Sequence, residues 1–124
     1  MSLSAQNRGI LGAVIDGAVR DIDEVIAIGF PLFAWFVTPR AGTSDQLGDV
    51  QQTISCGSVI VRPDDIISAD CNGVVVVPQE IVEQVAEAAR RIEDWEEQVK
   101  QQLLTGKTLS QAGQYCEKPK IVDI

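Results

Sequence analysis

The sequence predicts a mixed α/β domain, and three observations support this. Short apolar runs bounded by glycine and proline alternate with polar segments, as expected of strands joined by turns. Residues 74–77 are four consecutive valines, the clearest core strand in the chain. An amphipathic segment then begins at Pro78 and is typical of a long helix. Because 124 residues are enough for one core, we predict a single domain over residues 1–124.

The first predicted strand is the apolar run 10–15, which ends in a sharp turn at Asp16-Gly17. A short helix over residues 24–28 follows. Asp21 or Asp23 can cap its start, and Gly29 can end it.

The middle of the chain is predicted to contain further strands joined by turns and one long loop. The run 31–37 is too apolar for a surface strand and is expected to be buried on both faces. Asn72-Gly73 is a hairpin-turn dipeptide. The other expected elements are a loop at 38–50, a strand at 53–61 interrupted near Gly57, a turn at 63–65, and strands at 66–70 and 73–77.

The long helix is expected to extend to about Leu104. Apolar residues recur along it at three- and four-residue steps and form one stripe, which we expect to pack on the sheet of the same chain. The tail from Thr105 contains two glycines and a proline and is expected to be loosely ordered. The stripe consists of Ile81, Val85, Ala88, Ile92, Trp95 and Val99.

Composition restricts the chemistry that is available. The net charge of −8 argues against direct nucleic-acid binding, because phosphate contacts need clustered cations. The sequence has no histidine, which excludes Ser-His-Asp and Cys-His catalysis and His-ligated zinc. A metal site must therefore use carboxylate, carbonyl and water oxygens, a donor set that suits Mg²⁺, Mn²⁺ or Ca²⁺.

Cysteine usage and hydropathy indicate a cytoplasmic protein. Cys56, Cys71 and Cys116 are too scattered for a disulfide framework and form no C-x-x-C pair, so we predict reduced thiols with packing roles. No apolar run reaches the roughly 18 residues of a membrane span, and the polar start does not resemble a secretory signal.

The segment 16–24 carries the most informative chemistry. It reads Asp-Gly-Ala-Val-Arg-Asp-Ile-Asp-Glu, a strand-to-helix turn suited to a divalent metal and an oxo-acid anion. Arg20 offers a planar fork for a carboxylate or enolate oxygen, and Asp21 offers a hard oxygen ligand. On spacing alone the simpler interpretation is favoured, in which the aspartates cap a helix and Arg20 pairs with one of them.

Several segments, in order, match the motifs of one family. The main signature is Arg-Gly-Ile-Leu-Gly-Ala-Val-Ile-Asp-Gly-Ala-Val-Arg-Asp at 8–21. The later matching segments lie at 29–33, 38–40, 56–57, 69–70, 73–78 and 106–109. Over about residues 8–113 the sequence thus resembles the RraA-like proteins, which include the 4-hydroxy-4-methyl-2-oxoglutarate (HMG/CHA) aldolases and the regulator of ribonuclease E activity A.

The resemblance implies a swivelling β/β/α domain with a long C-terminal helix, assembled as a homotrimer. It also implies a lyase that uses Mg²⁺ or Mn²⁺, binds a small oxo-acid and needs no nucleotide cofactor. By position, Arg20 would contact the pyruvate or enolate oxygen, and Asp21 would bind the metal. Glu24 would hold metal-bound water, which would also act as the base. Asp16 is a weaker candidate for that base.

One departure from the family and one alternative function arise from the same resemblance. The family's motif begins with a glycine 21 residues before the arginine, a position that would precede residue 1, so we expect an N-terminally truncated member. A non-catalytic regulator that binds and inhibits a ribonuclease is therefore the alternative to a pyruvate aldolase or oxaloacetate decarboxylase. Members are often labelled demethylmenaquinone methyltransferases, but Gly9, Gly12 and Gly17 do not form the glycine-rich loop of a methyl-donor site.

Overall fold

The fold is described from a computed structural model, which describes residues 1–43, 45–116 and 119. It divides into two compact units, Met1–Val76 and Val77–Ile124. The predicted mixed α/β fold with a long helix in its C-terminal part is confirmed. The first unit contains α1 (Ser2–Gln6), β1 (Ala13–Val19), α2 (Ile22–Ala27), β2 (Leu32–Val37), β3 (Ile54–Cys56), β4 (Val59–Val61) and β5 (Ile66–Asp70), and β6 (Gly73–Val77) ends at the boundary.

The first unit is organised around the parallel pair β1 and β2. Their ends approach closely at Gly12, whose backbone lies against Pro31, so that an added Cβ would sit 2.9 Å from the Pro31 carbonyl oxygen. The Ala13 N–H donates to that same oxygen at 2.9 Å. Because Gly12 has no side chain, its backbone can come this close to Pro31, and the pairing of β1 with β2 begins there.

The predicted end of the first strand was wrong. β1 continues through Gly17 to Val19, because β2 supplies pairing partners as far as Val37. The turn therefore lies four residues later than expected, at Arg20 and Asp21. The short helix and its end at Gly29 were predicted correctly, since α2 is followed by Gly29 with φ of 65°.

β2 is a strand as predicted, but the expectation that it is buried on both faces was wrong. Trp35 is 62% exposed, and Phe36 and Val37 are each 69% exposed. In this unit Phe30 is the one described residue in the buried class. The first unit thus leaves a strongly apolar strand uncovered.

Two strand pairs complete the first unit. β3 and β4 form an antiparallel hairpin, and its two turn residues, Gly57 and Ser58, both have positive φ, as a type I′ turn requires. β5 pairs with β6 around Cys71-Asn72, at the bounds that the sequence predicted. The loop at 38–50 and the turn at 63–65 are also confirmed within the described residues.

The second unit is helical. A 3₁₀ turn, Gln79–Ile81, leads into α3 (Val82–Leu104), and α4 (Leu109–Tyr115) packs against it. The predicted stripe is the shielded side of α3, since all of its members are at least partly buried. Val99 lies with Ala112 and Cys116 in a small core, which the partly buried Trp95 joins. Within the described part of the chain, no helix combines the length and apolar character needed to span a bilayer.

The expectation of a loosely ordered tail was wrong as far as Cys116. A capping box at the start of α4 accounts for this, because Thr108 and Gln111 satisfy each other's backbone N–H groups. Cys116 is buried and its carbonyl accepts the Trp95 indole N–H at 3.0 Å, whereas Cys71 is exposed. Apart from Pro119, the predicted tail beyond Cys116 lies outside the described residues.

Candidate functional site

The turn after β1 places Arg20 and Asp21 at the carboxyl end of a parallel strand. The Thr38 N–H donates to the Val19 carbonyl at 2.8 Å, which fixes where the strand ends. Asp21 then adopts the left-handed conformation, with φ 58° and ψ 44°, and α2 begins at Ile22. Aspartate tolerates this conformation better than most residues, so the side chain at the bend suits its backbone.

The Arg20 Nε donates to Asp21 Oδ2 at 2.7 Å, so the two predicted site residues are in direct contact. Both side chains are about half exposed, at 50% and 55%. An ion pair this open to solvent contributes little to stability, at most about 1 kcal/mol. Its groups therefore remain accessible to a ligand that would compete for them.

The helix-cap interpretation of Asp21 is not what the structure shows. Asp21 occupies the N-cap position of α2, but its side chain makes no capping hydrogen bond and is paired with Arg20 instead. Asp23 and Glu24 lie in the first turn of α2 and are exposed. Because α2 has six residues, its dipole can contribute only weakly to the binding of an anion there.

The carboxylates near this turn fit a hydrated magnesium site better than a closed protein cage. Among the described residues, no group of three or more Asp, Glu, Cys or His side chains is placed to hold a metal ion. Asp21 and Glu24 nevertheless offer the hard oxygen donors that Mg²⁺ takes when it keeps most of its water. The donor chemistry is therefore compatible with Mg²⁺ or Mn²⁺ bound mainly through Asp21.

Asp16 lies inside β1, and both of its carboxylate oxygens accept hydrogen bonds. Oδ1 accepts the Trp35 indole N–H at 2.8 Å, and Oδ2 accepts the Gly57 backbone N–H at 3.0 Å. The sequence did not reveal these partners, which lie 19 and 41 residues away. The signal that could have pointed to them is an aspartate within an otherwise apolar strand, although Asp16 is exposed and does not depend on these donors for solvation.

A second aspartate organises the turn between β5 and β6. Asp70 accepts hydrogen bonds from the Asn72 N–H at 2.8 Å, the Asn72 side-chain amide at 3.0 Å and the Gly73 N–H at 3.2 Å. These donors, the Asn72 N–H first, hold the pKa of the Asp70 carboxyl below its ordinary value of 3.8. This aspartate stabilises the turn and is not required by the proposed chemistry.

The first unit also contains an open, mostly apolar cleft of about 1040 Å³. Strand residues such as Val14, Phe33, Val61 and Val76 line it, and Asp70 lies at its edge. Arg20, Asp21 and Glu24 are not among its lining residues. This cleft is thus separate from the charged turn, and apolar packing suits it better than oxo-acid binding.

Known structures and sequences define the class of protein to which this fold belongs. A solved structure of an uncharacterized protein from Pseudomonas syringae pv. tomato str. DC3000 is similar, with a TM-score of 0.81 and 36% identity. That similarity covers 90% of this chain and 56% of the other. The RraA-like family model, described as Aldolase/RraA, matches residues 1–76. The chain belongs to this family, which confirms the resemblance seen in the sequence.

Curated relatives match over most of this chain but over a smaller part of their own length. An uncharacterized protein of Methanocaldococcus jannaschii is 42% identical over 108 residues, which are 87% of this chain and 52% of the relative. A protein of Halalkalibacterium halodurans named "Putative 4-hydroxy-4-methyl-2-oxoglutarate aldolase" is 40% identical over 70% of this chain and 41% of its own. Protein DlpA of Legionella pneumophila is 34% identical over 94% of this chain and 19% of its own. The chain thus spans about half or less of these relatives' length.

Proposed function

We propose that this protein is a divalent-metal-dependent lyase that releases pyruvate from a 4-hydroxy-2-oxo-diacid of the 4-hydroxy-4-methyl-2-oxoglutarate type, with oxaloacetate decarboxylation as a second reaction. The observation that carries the proposal is the exposed Arg20–Asp21 pair at the end of β1, with Glu24 in the following helical turn. Membership of the Aldolase/RraA family and the name of the Halalkalibacterium halodurans relative support it.

Both proposed reactions pass through the same anion. In the aldol cleavage the C4 hydroxyl loses its proton, the C3–C4 bond breaks, and its electron pair forms the enolate of pyruvate. In the decarboxylation the same enolate forms as CO₂ leaves oxaloacetate. Protonation of the enolate at carbon then gives pyruvate. A site that stabilises negative charge on the enolate oxygen therefore accelerates both reactions.

Arg20 is the side chain suited to that charge. Its guanidinium carries five N–H donors, of which Nε is used by Asp21, so the terminal nitrogens retain donors for a substrate oxygen. Asp21, with Glu24 acting through water, would hold Mg²⁺ or Mn²⁺. When bound, the divalent cation supplies positive charge beside the keto and carboxylate oxygens of the oxo-acid. The Nε contact with Asp21 keeps the guanidinium beside the metal-binding carboxylate.

We also propose that the protein assembles as a homotrimer. The support is the apolar surface of the first unit, where Trp35, Phe36 and Val37 of β2 are all more than 60% exposed. Exposed apolar side chains in this number favour association with further copies of the chain, and the number three rests on the resemblance to the family. Further exposed apolar side chains, Ile54, Ile60 and Val75, belong to the strand pairs of the same unit.

Pyruvate release tests the proposed activity. The protein is incubated with Mg²⁺ or Mn²⁺ and either 4-hydroxy-4-methyl-2-oxoglutarate or oxaloacetate, and pyruvate is measured through lactate dehydrogenase. Arg20→Ala is expected to lower kcat about 10²–10³-fold, because it removes the donors to the enolate oxygen. Arg62→Ala, which removes an exposed arginine from a turn elsewhere in the same unit, is the matched control and should keep full activity.

Two results would contradict the proposal. Pyruvate release that does not exceed the metal-only blank would refute the lyase activity of this chain. Release that Arg20→Ala leaves unchanged would show that the reaction does not use this turn. Chelation with EDTA should abolish the activity, and added Mg²⁺ should restore it.

A further inference from the structure

Asp16 joins three strands through a single carboxylate. One oxygen is bonded to the Trp35 indole on β2, and the other to the Gly57 N–H in the turn between β3 and β4. A Cβ placed on Gly57 would lie 3.6 Å from the Trp35 ring, so the indole and this turn are also in contact. Charge-assisted hydrogen bonds are the stronger class, and two of them converge here on one side chain.

This contact falls where the pairing of β1 with β2 is irregular. Ile15 pairs with Ala34 and Ala18 pairs with Phe36, so that Asp16 and Gly17 together lie opposite the single residue Trp35. An extra residue of this kind bends a strand and changes the direction in which the chain continues. The Asp16–Trp35 hydrogen bond links β1 to β2 at the position of the extra residue.

β1, which this hydrogen bond links to β2, leads directly into the turn at Arg20 and Asp21. Regular pairing resumes at Ala18 and Val19, and two residues later Asp21 adopts its left-handed conformation. Aspartate adopts this conformation more readily than most residues, but the conformation is still uncommon outside glycine and depends in part on the surrounding structure. The Thr38 N–H bond to the Val19 carbonyl and the Val25 N–H bond to the Asp21 carbonyl hold the two sides of the bend, and the direction in which β1 enters the turn acts together with them.

We propose that Asp16 is a positioning residue that fixes the Arg20–Asp21 turn through β1, and that its carboxylate does not act as the base or as a metal ligand. The effect of Asp16 on metal binding and catalysis rests on the proposed function, whereas its effect on the backbone of the turn does not. Both carboxylate oxygens accept hydrogen bonds from the protein, and these bonds fix the orientation of the carboxylate. Each oxygen keeps a second lone pair, so the assignment to positioning rests on the orientation that the two bonds impose.

The first test is the affinity for Mn²⁺, measured by the electron paramagnetic resonance signal of the free ion. In Asp16→Asn one side-chain oxygen remains for the N–H donors of Trp35 and Gly57. The amide N–H₂ then faces whichever donor the oxygen does not serve. We expect Mn²⁺ affinity to fall about tenfold, the size typical of residues that support metal ligands. The control is Asp65→Asn, which removes the same charge from an aspartate that also accepts a backbone N–H, from Arg62, and should leave the affinity unchanged.

A second variant separates positioning from loss of charge. Trp35→Phe removes one donor and keeps the carboxylate, and should lower Mn²⁺ affinity roughly threefold. In that background Asp16→Asn should have a smaller effect than in the wild type, because the single amide oxygen can then serve Gly57. Simple additivity, or an unchanged affinity in Asp16→Asn, would overturn the proposal. Trp35→Phe carries the test alone if Asp16→Asn does not fold.

A measurement on the metal-free protein is independent of the proposed function. The Cα and Cβ chemical shifts of Asp21 report its left-handed backbone, and Asp16→Asn should move them towards extended values while Asp65→Asn should not. Unmoved Asp21 shifts would overturn the positioning role whether or not Mn²⁺ binds. Moved shifts in a protein that binds no Mn²⁺ would support the positioning role and refute the metal-dependent function instead.

Discussion

The contact between Gly12 and Pro31 predicts that a single added methyl group weakens the first unit. In Gly12→Ala the new Cβ would sit 2.9 Å from the Pro31 carbonyl oxygen and 3.1 Å from its Cβ. The oxygen cannot move freely, because it also accepts the Ala13 N–H that begins the β1–β2 pairing. The methyl group must therefore displace backbone and not merely a flexible side chain.

The magnitude is set by two opposing effects. Overpacking of this kind costs about 1–3 kcal/mol. The φ of Gly12 lies outside the left-handed region, so alanine can adopt it. Because alanine also makes the unfolded chain less flexible, it stabilises the fold by about 0.4–1 kcal/mol. We expect a net loss of stability of at most about 2.6 kcal/mol, seen as a lower urea midpoint at an unchanged m-value.

Gly48→Ala is the control, because a Cβ at this loop position meets nothing within 4 Å and φ is again outside the left-handed region. Its stability should stay within about 1 kcal/mol of the wild type or rise slightly. A Gly12→Ala variant as stable as Gly48→Ala would show that the two strand ends can separate without cost, and would refute the reasoning.

Three further outcomes are expected. Because the folded pKa of Asp70 is lowered, its stabilising effect is present above pH 3.8 and is lost as the pH falls through the folded pKa. The difference in urea midpoint between wild type and Asp70→Asn should accordingly narrow below pH 3.8, and a constant difference would contradict this. Thr108→Ala should destabilise the second unit by about 1 kcal/mol through loss of the capping box, seen in the Trp95 fluorescence transition, whereas Ser110→Ala on the same helix should not. Light scattering at micromolar concentration should give a molar mass of about 40 kDa, the mass of three chains of 13.4 kDa. A molar mass equal to that of one chain would exclude the trimer.

The sequence predicted those elements whose signals are local. The paired strands 66–70 and 73–77 were predicted at their observed bounds, because a β-branched run indicates a strand and a turn signal at Asn72 separates the two. The turn consists of Cys71 and Asn72 and not of the Asn72-Gly73 pair, since Gly73 begins β6. The stripe on α3 was found because helical periodicity extends over several turns. Residue chemistry singled out Arg20 and Asp21 as a possible ligand site, although spacing alone favoured a cap and an ion pair. The structure shows the ion pair.

The sequence failed where distant parts of the chain decide the outcome. Gly17 was interpreted as a turn, but pairing with β2 keeps it within a strand, and tertiary hydrogen bonds override the local preference of glycine. The partners of Asp16 depend on a register irregularity and on a hairpin 41 residues away, neither of which has a local signal. The residues of the turn could therefore be predicted, whereas the contacts that orient them could not.

The error over β2 has a different cause and bears on assembly. The run Leu32–Val37 has the composition of a strand shielded on both sides, yet most of it is exposed in the single chain. Composition reflects the environment in which a sequence is stable, and that environment includes any surface that covers the strand. Trp35 belongs both to this uncovered strand and to the hydrogen bond that fastens Asp16. A copy of the chain that covered β2 would exclude water from this hydrogen bond and strengthen it, so assembly and the orientation of the Arg20–Asp21 turn would be coupled through a single indole ring.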